Sequence, residues 1–267
     1  AARLNKSSGL PTGFADLDRM LGGLQPSDFI IFAGRPGMGK TSWLLNVALN
    51  GMKAGIIRPM IFSLEMSAEQ LTDRWNATES GVSTEKMRNG QMTDQEFAQY
   101  AAASGRLSQL PFVIDDSGML TAAQFAAKAA RAVAEHRANL IIVDYVQLMA
   151  DDKRTENRNL EISAISRTMK QVARKLNVPV LAAAQLNRAV ESRQNKRPQL
   201  ADLRDSGSLE QDADIVMFIT REDAYDENTQ RPNQADIIIA KHRNGPVGTV
   251  PLYFRKELTQ FSNLSRQ

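Results

Sequence analysis

The sequence predicts an α/β protein with a mostly parallel central sheet flanked by helices and a C-terminal antiparallel extension. Two patterns carry that prediction. Short apolar runs at 29–33, 59–63, 111–115, 140–145 and 179–184 alternate with helical patterns at 67–80, 93–109, 121–137 and 157–176. Strands separated by helices of this length pair in parallel, with helices covering both faces of the sheet. After residue 210 the rhythm changes. The runs Ile215 to Ile219, Ala235 to Ala240 and Thr249 to Phe254 follow one another with no helix between them, which predicts antiparallel pairing.

Each element has a local reason. Residues 1–10 are polar and aperiodic and read as a linker remnant, leaving a single domain over 11–267. A short helix closed by Gly22 and Gly23 is expected next. Phe29-Ile30-Ile31-Phe32-Ala33 is apolar on both faces, as a buried parallel strand requires, and Thr41 to Leu49 continues with apolar residues at helical spacing. Ser67-x-x-Gln70 and Thr121-x-x-Gln124 read as capping boxes that open helices. Trp43 and Trp75 fall at apolar helical positions and belong to the core, whereas His136 sits among charges and reads as solvated.

Composition narrows the function classes. The 267 residues contain no cysteine, which excludes a disulfide framework and a cysteine-ligated zinc site. No stretch approaches the roughly 18–20 apolar residues of a membrane span. A cytoplasmic protein with no membrane association is the simplest reading. The net charge of +3 is too small to imply nucleic-acid binding by itself.

The chemistry begins at residues 34–41. Gly34-Arg35-Pro36-Gly37-Met38-Gly39-Lys40-Thr41 matches G-x-x-x-x-G-K-[ST] in full, between a strand and a helix. Glycines let the backbone curl so that successive N–H groups face a phosphate, and the following helix adds the positive end of its dipole. Gly34 to Thr41 together with Ser42 form the expected nucleotide site. Lys40 is placed to reach the β- and γ-phosphates and Thr41 to ligate Mg²⁺. Asp144 ends the apolar run Leu140 to Val143, where a strand-end carboxylate either holds Mg²⁺, directly or through water, or merely caps the strand; its pairing with the phosphate loop favours the metal.

Further candidates close other strands. Glu65, after Ile61 to Leu64, suits either a general base for the attacking water or a plain helix N-terminal acid. Gln185 ends Val180 to Ala184 and is placed to hydrogen-bond a γ-phosphate or the attacking water. Lys241 and Arg243 begin a turn before Gly245-Pro246 and read either as cationic fingers or as a solvated hairpin tip. Residues 187–208 carry Arg188, Arg193, Lys196, Arg197 and Arg204 with few apolar residues, and read as an unstructured functional loop. Such a loop, with Gly207 exposing backbone, suits contacts to a nucleic-acid backbone. The mixed-charge segment 151–158 is a second candidate loop.

With these residues assembled, the chain resembles the ATPase domain of the DnaB family of bacterial replicative helicases from about residue 7 to 263. The matching blocks are Gly9-x-Pro-Thr-Gly-Phe, Ala33 to Thr41, Phe62-Ser-Leu-Glu-Met-Ser, Ile142-Val-Asp-Tyr-Val-Gln-Leu-Met, Ala184-Gln-Leu-Asn-Arg, Leu203 to Asp214 and Lys241-His-Arg-Asn-Gly-Pro-Val-Gly. The resemblance implies a RecA-like fold, ATP and Mg²⁺ as nucleotide and cofactor, and a homo-hexameric ring around single-stranded DNA. It also implies a primase and a helicase loader as candidate partners. It makes Glu65 the catalytic base, Gln185 a γ-phosphate sensor, and Lys241 and Arg243 groups that reach into a neighbour's site. Arg204, Asp205 and Gly207 would touch the DNA backbone, with Arg188 nearby.

Two departures stand out. The family's helical N-terminal domain and linker helix do not lie within these 267 residues, which reads as an excised domain or a short relative. His242 stands where a glutamine is expected between the two basic residues. A RecA-type recombinase and a KaiC-like signalling ATPase share the same ATPase core. The basic 187–208 segment argues against the signalling ATPase, and the Leu203 to Asp214 block argues against the recombinase.

Overall fold

The computed structural model describes residues 9–150, 158–193, 195–226 and 228–264, with the side chains of residues 204–206 excepted. Among these residues nine strands form one sheet: β1 (Phe29–Gly34), β2 (Pro59–Ser63), β3 (Val113–Asp115), β4 (Leu140–Asp144), β5 (Val180–Gln185), β6 (Ile215–Thr220), β7 (Gln234–His242), β8 (Gly248–Arg255) and β9 (Gln260–Asn263). Their order is β3-β2-β4-β5-β1-β6-β7-β8-β9. Every pair from β3 to β6 is parallel, and the three pairs from β6 to β9 are antiparallel.

The helices are α1 (Ala15–Leu21), α2 (Lys40–Lys53), α3 (Ala68–Ser80), α4 (Thr84–Asn89), α5 (Asp94–Leu107), α6 (Ala122–Ala134), α7 (Arg158–Leu176) and α8 (Gly207–Asp212). The capping boxes at Ser67/Gln70 and Thr121/Gln124 are both formed. Strand side chains alternate between two cores. Ile30 and Phe32 of β1 join Trp43, Trp75 and Phe14 on one face. Phe29, Ile31 and Ala33 join Phe125, Ile165 and Met169 on the other. A sheet covered on both sides explains why its central strands read as unbroken apolar runs.

Three expectations are corrected. The first of the late strands, β6, is parallel to β1, with Ile30 opposite Ile215, so the antiparallel extension starts at β7. Residues 187–208 are not without structure. They hold 3₁₀ turns at Arg188–Val190 and Leu200–Ser206 and the start of α8, which together return the chain to β1's far side. Leu10, placed in the linker by its polar surroundings, pairs with Leu24. Residues 1–8 and most of the candidate loop 151–158 lie outside the described residues.

Candidate nucleotide site

The parallel register brings the strand-end residues to one edge. Gly34 of β1 lies opposite Gln185 of β5, and Ser63 of β2 lies opposite Asp144 of β4. Ligands of open parallel sheets bind outside the carboxyl ends of the strands, and a cleft of about 290 Å³ lies there. Pro36, Gly37, Gly39, Lys40, Thr41, Ser42, Glu65, Asp144 and Gln185 all line it.

The loop is shaped as its glycines dictate. Gly37 and Gly39 sit at φ 78° and 98°, a region open to glycine at little cost. A Cβ on Gly34 would stand 2.6 Å from the Ile219 side chain, so this position also needs a bare backbone. Gly39 caps α2 without a side-chain hydrogen bond, leaving the helix N-terminus free to face the cleft.

Lys40 folds back over the loop, its ammonium donating to the carbonyl oxygens of Gly34 at 3.0 Å and Arg35 at 3.2 Å. Burial pushes the Lys40 ammonium below the ordinary lysine range, with Asp144 and Glu65 opposing the shift. The Thr41 hydroxyl donates to Asp144 Oδ2 at 2.6 Å. Asp144 is only 3% exposed. Burial raises its carboxyl, against the Thr41 hydrogen bond and the Lys40 charge. Thr41 and Asp144 thus present a hydroxyl and a carboxylate oxygen side by side beside the phosphate loop. That donor set suits Mg²⁺, which takes one or two protein oxygens and fills its remaining positions with phosphate oxygens and water. Among the described residues no cluster of three or more His, Asp or Glu side chains forms a self-sufficient metal cage.

Not every loop residue faces the cleft. Arg35 is 6% exposed and turns its guanidinium away, to Glu191 Oε1 at 2.6 Å and the Leu186 carbonyl at 2.8 Å. Met38 packs into the core. Both contribute backbone to the loop, and Arg35 also ties it to the segment after β5. Gln185 lines the cleft on one side and, on the other, a cavity of about 540 Å³ shared with Gln147, Arg158 and Arg188.

Several lining residues were not found from sequence. Arg74 enters from α3, its guanidinium lowered by burial but attracted by Asp144 and Glu65. Arg221, Phe254, Lys256 and Thr259 come from the end of β6 and the antiparallel extension. Arg221 is held bidentately by Asp223 at 3.0 Å and lies over the Phe254 ring, 4.7 Å from its centroid. Buried Asn46 fixes the β8–β9 turn, donating to the Thr259 carbonyl and accepting the Phe261 N–H, each at 2.9 Å.

Lys241 and Arg243 are not brought to this cleft. His242 at the end of β7 pairs with Ile215, which lies opposite Ile30, four residues or about 13 Å along β1 from Gly34 and the phosphate loop. Lys241 donates to the carbonyls of Glu210 at 2.6 Å and Ala213 at 2.7 Å, closing the C-terminal end of α8. The His242 ring covers Gly245 so closely that a Cβ there would clash. Of the basic residues in 187–208, Arg193 pairs with Asp202, Arg197 bonds the Thr249 hydroxyl and Lys196 lies over the Tyr225 ring. Arg188 is exposed. The side chains of Arg204 and Asp205 lie outside the described residues, while Gly207 begins α8.

Fold and cleft together define a class: a phosphate-loop α/β domain of RecA-like architecture. The model of the DnaB-like helicase C terminal domain matches residues 9–263. Replicative DNA helicase DnaC of Bacillus subtilis and replicative DNA helicase DnaB of Geobacillus stearothermophilus are each 46% identical over 261 residues, covering 97% of this chain and 58% of their own length. One structure solved as an isolated ATPase domain superposes with a TM-score of 0.93 at 37% identity, over 98% of this chain and 94% of that one. A DnaB-like replicative helicase, solved in a study of its interactions with primase, gives 0.92 at 37% identity, over 97% of this chain and 63% of that one. The chain belongs to the family of DnaB-like helicase C-terminal domains. It spans a little over half the length of the curated relatives. Among the described residues no helix is long and apolar enough to cross a membrane.

Proposed function

We propose that this chain is the ATP-hydrolysing motor domain of a replicative DNA helicase, acting in the cytoplasm as a homo-hexameric ring on single-stranded DNA. The observation that carries the reading is the convergence of Lys40, Thr41, Asp144 and Glu65 on one cleft at the carboxyl edge of the sheet. The phosphates of ATP lie in the Gly34 to Ser42 loop, and Lys40 leaves its two carbonyl partners for the β- and γ-phosphates. Thr41 and Asp144 would hold Mg²⁺, which would supply charge neutralisation at the phosphate oxygens. Glu65 accepts a proton from the attacking water. Gln185 hydrogen-bonds the γ-phosphate end and Arg74 faces it from α3.

Arg243 and Lys241 act on the neighbour's nucleotide. Their placement at the opposite end of the strands from their own loop supports this, and Lys241 leaves the α8 carbonyls to reach a neighbour. Arg188, Arg204, Asp205 and Gly207 contact the DNA backbone, and Gln185, between the two cavities, relates nucleotide state to that segment. Primase and a loader are the candidate partners of the whole helicase. Mixing Arg243→Ala with Lys40→Ala subunits tests the shared site. Lys40→Ala alone is expected to be inactive and Arg243→Ala alone impaired, and the mixture to regain turnover. No gain at any mixing ratio overturns the shared site.

A further inference from the structure

Outside the nucleotide cleft, a constrained charged cluster lies at the opposite edge of the sheet, where α7, β1, β6 and β7 meet. Asp214, the residue before β6, is 4% exposed and holds three groups. Its Oδ2 accepts the Phe29 N–H at 2.8 Å and the Lys170 ammonium. Its Oδ1 faces the Arg243 guanidinium at 3.3 Å, and its backbone carbonyl accepts the Arg243 N–H at 2.9 Å. Asp214 also donates its own N–H to the Phe29 carbonyl at 2.9 Å, so it is fixed to β1 by main chain and side chain. Lys170 is anchored in turn by the Ser27 carbonyl at 3.1 Å.

We infer that Asp214 is a positioning residue for Arg243. An arginine at a hairpin has a long, freely turning side chain, and a group that must meet a transferring phosphoryl loses rate steeply when misplaced. The Arg243 side chain is 54% exposed while that of Asp214 is 6% exposed, so the pair couples a fixed buried carboxylate to a cation that still faces outward. With the Arg243 side chain largely in solvent, its guanidinium adds little to stability. Its consequence is geometric: Asp214 grips Arg243 by main chain and side chain and sets the direction in which the guanidinium leaves the hairpin. The anchor runs to Phe29, the first residue of the strand whose last residue, Gly34, opens the subunit's own phosphate loop. One six-residue strand thus carries the nucleotide loop at one end and, through Asp214, the group offered to a neighbour at the other.

The inference rests on the reading of Arg243 as a group acting in trans. ATP turnover is measured for the parent, Arg243→Ala, Asp214→Asn and the double variant, with single-stranded DNA and at saturating subunit concentration. Asp214→Asn is expected to lower kcat by about tenfold to a hundredfold with KM for ATP little changed. It is expected to lower nothing further in the Arg243→Ala background, as two groups acting through one contact are non-additive. Asp214→Asn mixed with Lys40→Ala subunits is expected to regain turnover, which a merely structural defect would not allow. Parent-like kcat in Asp214→Asn beside an impaired Arg243→Ala overturns the inference, as does full additivity in the double variant. Parent-like turnover in Arg243→Ala overturns instead the reading beneath it. Should Asp214→Asn fail to fold, Asp214→Glu keeps the charge opposite Lys170 and moves the oxygen facing Arg243 by one methylene. The same loss and the same non-additivity then decide.

Discussion

The Thr41 hydroxyl donates to Asp144 Oδ2 at 2.6 Å, joining the first turn of α2 to the end of β4. The two residues are 103 positions apart in the chain. They meet because β1 and β4 are both neighbours of β5 in a parallel sheet, and because the strand-to-helix turn after β1 leans over that edge. The bond aligns two oxygens that a divalent cation can share with phosphate.

Asp144→Asn removes the charged member of that pair. Its turnover is expected to fall by on the order of a hundredfold or more, with the loss not recovered by adding Mg²⁺. Binding of a fluorescent ATP analogue in the absence of Mg²⁺ is expected to persist. Parent-like turnover in this variant contradicts the assignment of Asp144.

Asn46 links α2 to the antiparallel extension through Ser42, Thr259 and Phe261. Asn46→Ala leaves the buried Phe261 N–H without a partner and is expected to cost about 1–3 kcal/mol. For a chain of this size that lowers the melting temperature by roughly 2–12 °C. Because Thr259 lines the cleft, KM for ATP is expected to rise as well. Calorimetry and initial rates check the two effects separately.

Asp28 lies near the buried Asp214, and its carboxyl is pushed up to about 6, first by burial and then by that neighbouring charge. A raised carboxyl binds its proton more tightly in the folded state. Stability on this account is full below about pH 4 and is lost as pH rises through about 6. Asp28→Asn is therefore expected to be the more stable protein at pH 7–8, by roughly 1 kcal/mol once solvent screening is allowed for. The advantage should vanish toward pH 4. Denaturant titrations of parent and Asp28→Asn at the two pH values check it, and an advantage no larger at pH 8 than at pH 4 contradicts this.

Contact to a nucleic-acid backbone without base readout predicts affinity for single-stranded DNA that falls steeply with salt and varies little with sequence. Arg188→Ala is expected to lower affinity and to reduce the log–log salt slope by about 0.7, the value of one phosphate contact on a single strand. Titrations at several salt concentrations measure it; an unchanged slope removes Arg188 from the interface.

The phosphate loop, Asp144, Glu65 and Gln185 were legible because each closes an apolar strand, and a parallel sheet sends all such residues to one edge. The capping boxes at Ser67 and Thr121 were legible because they are local chemistry. What escaped notice depends on distant contacts. Arg74 faces the cleft only because α3 packs against α2, and Phe254 and Thr259 arrive with an extension about 180 residues later in the chain than Arg74. Helix α4 buries no residue and so has no apolar period to read, and β9 carries a single apolar side chain, Phe261. The parallel pairing of β6 was missed because its crossover contains only a six-residue helix, α8, inside a segment that reads as loop.

A site completed by a neighbour, as proposed, would make catalysis depend on assembly, and a group supplied in trans can be worth about 10³–10⁵ in rate. The most direct measurement is ATP hydrolysis per subunit across a concentration series, with and without single-stranded DNA. A shared site coupled to a DNA-binding segment predicts turnover that rises with subunit concentration and rises again with DNA. Turnover per subunit that is independent of both would mean that each site is complete within one chain, and would contradict the helicase motor proposed here.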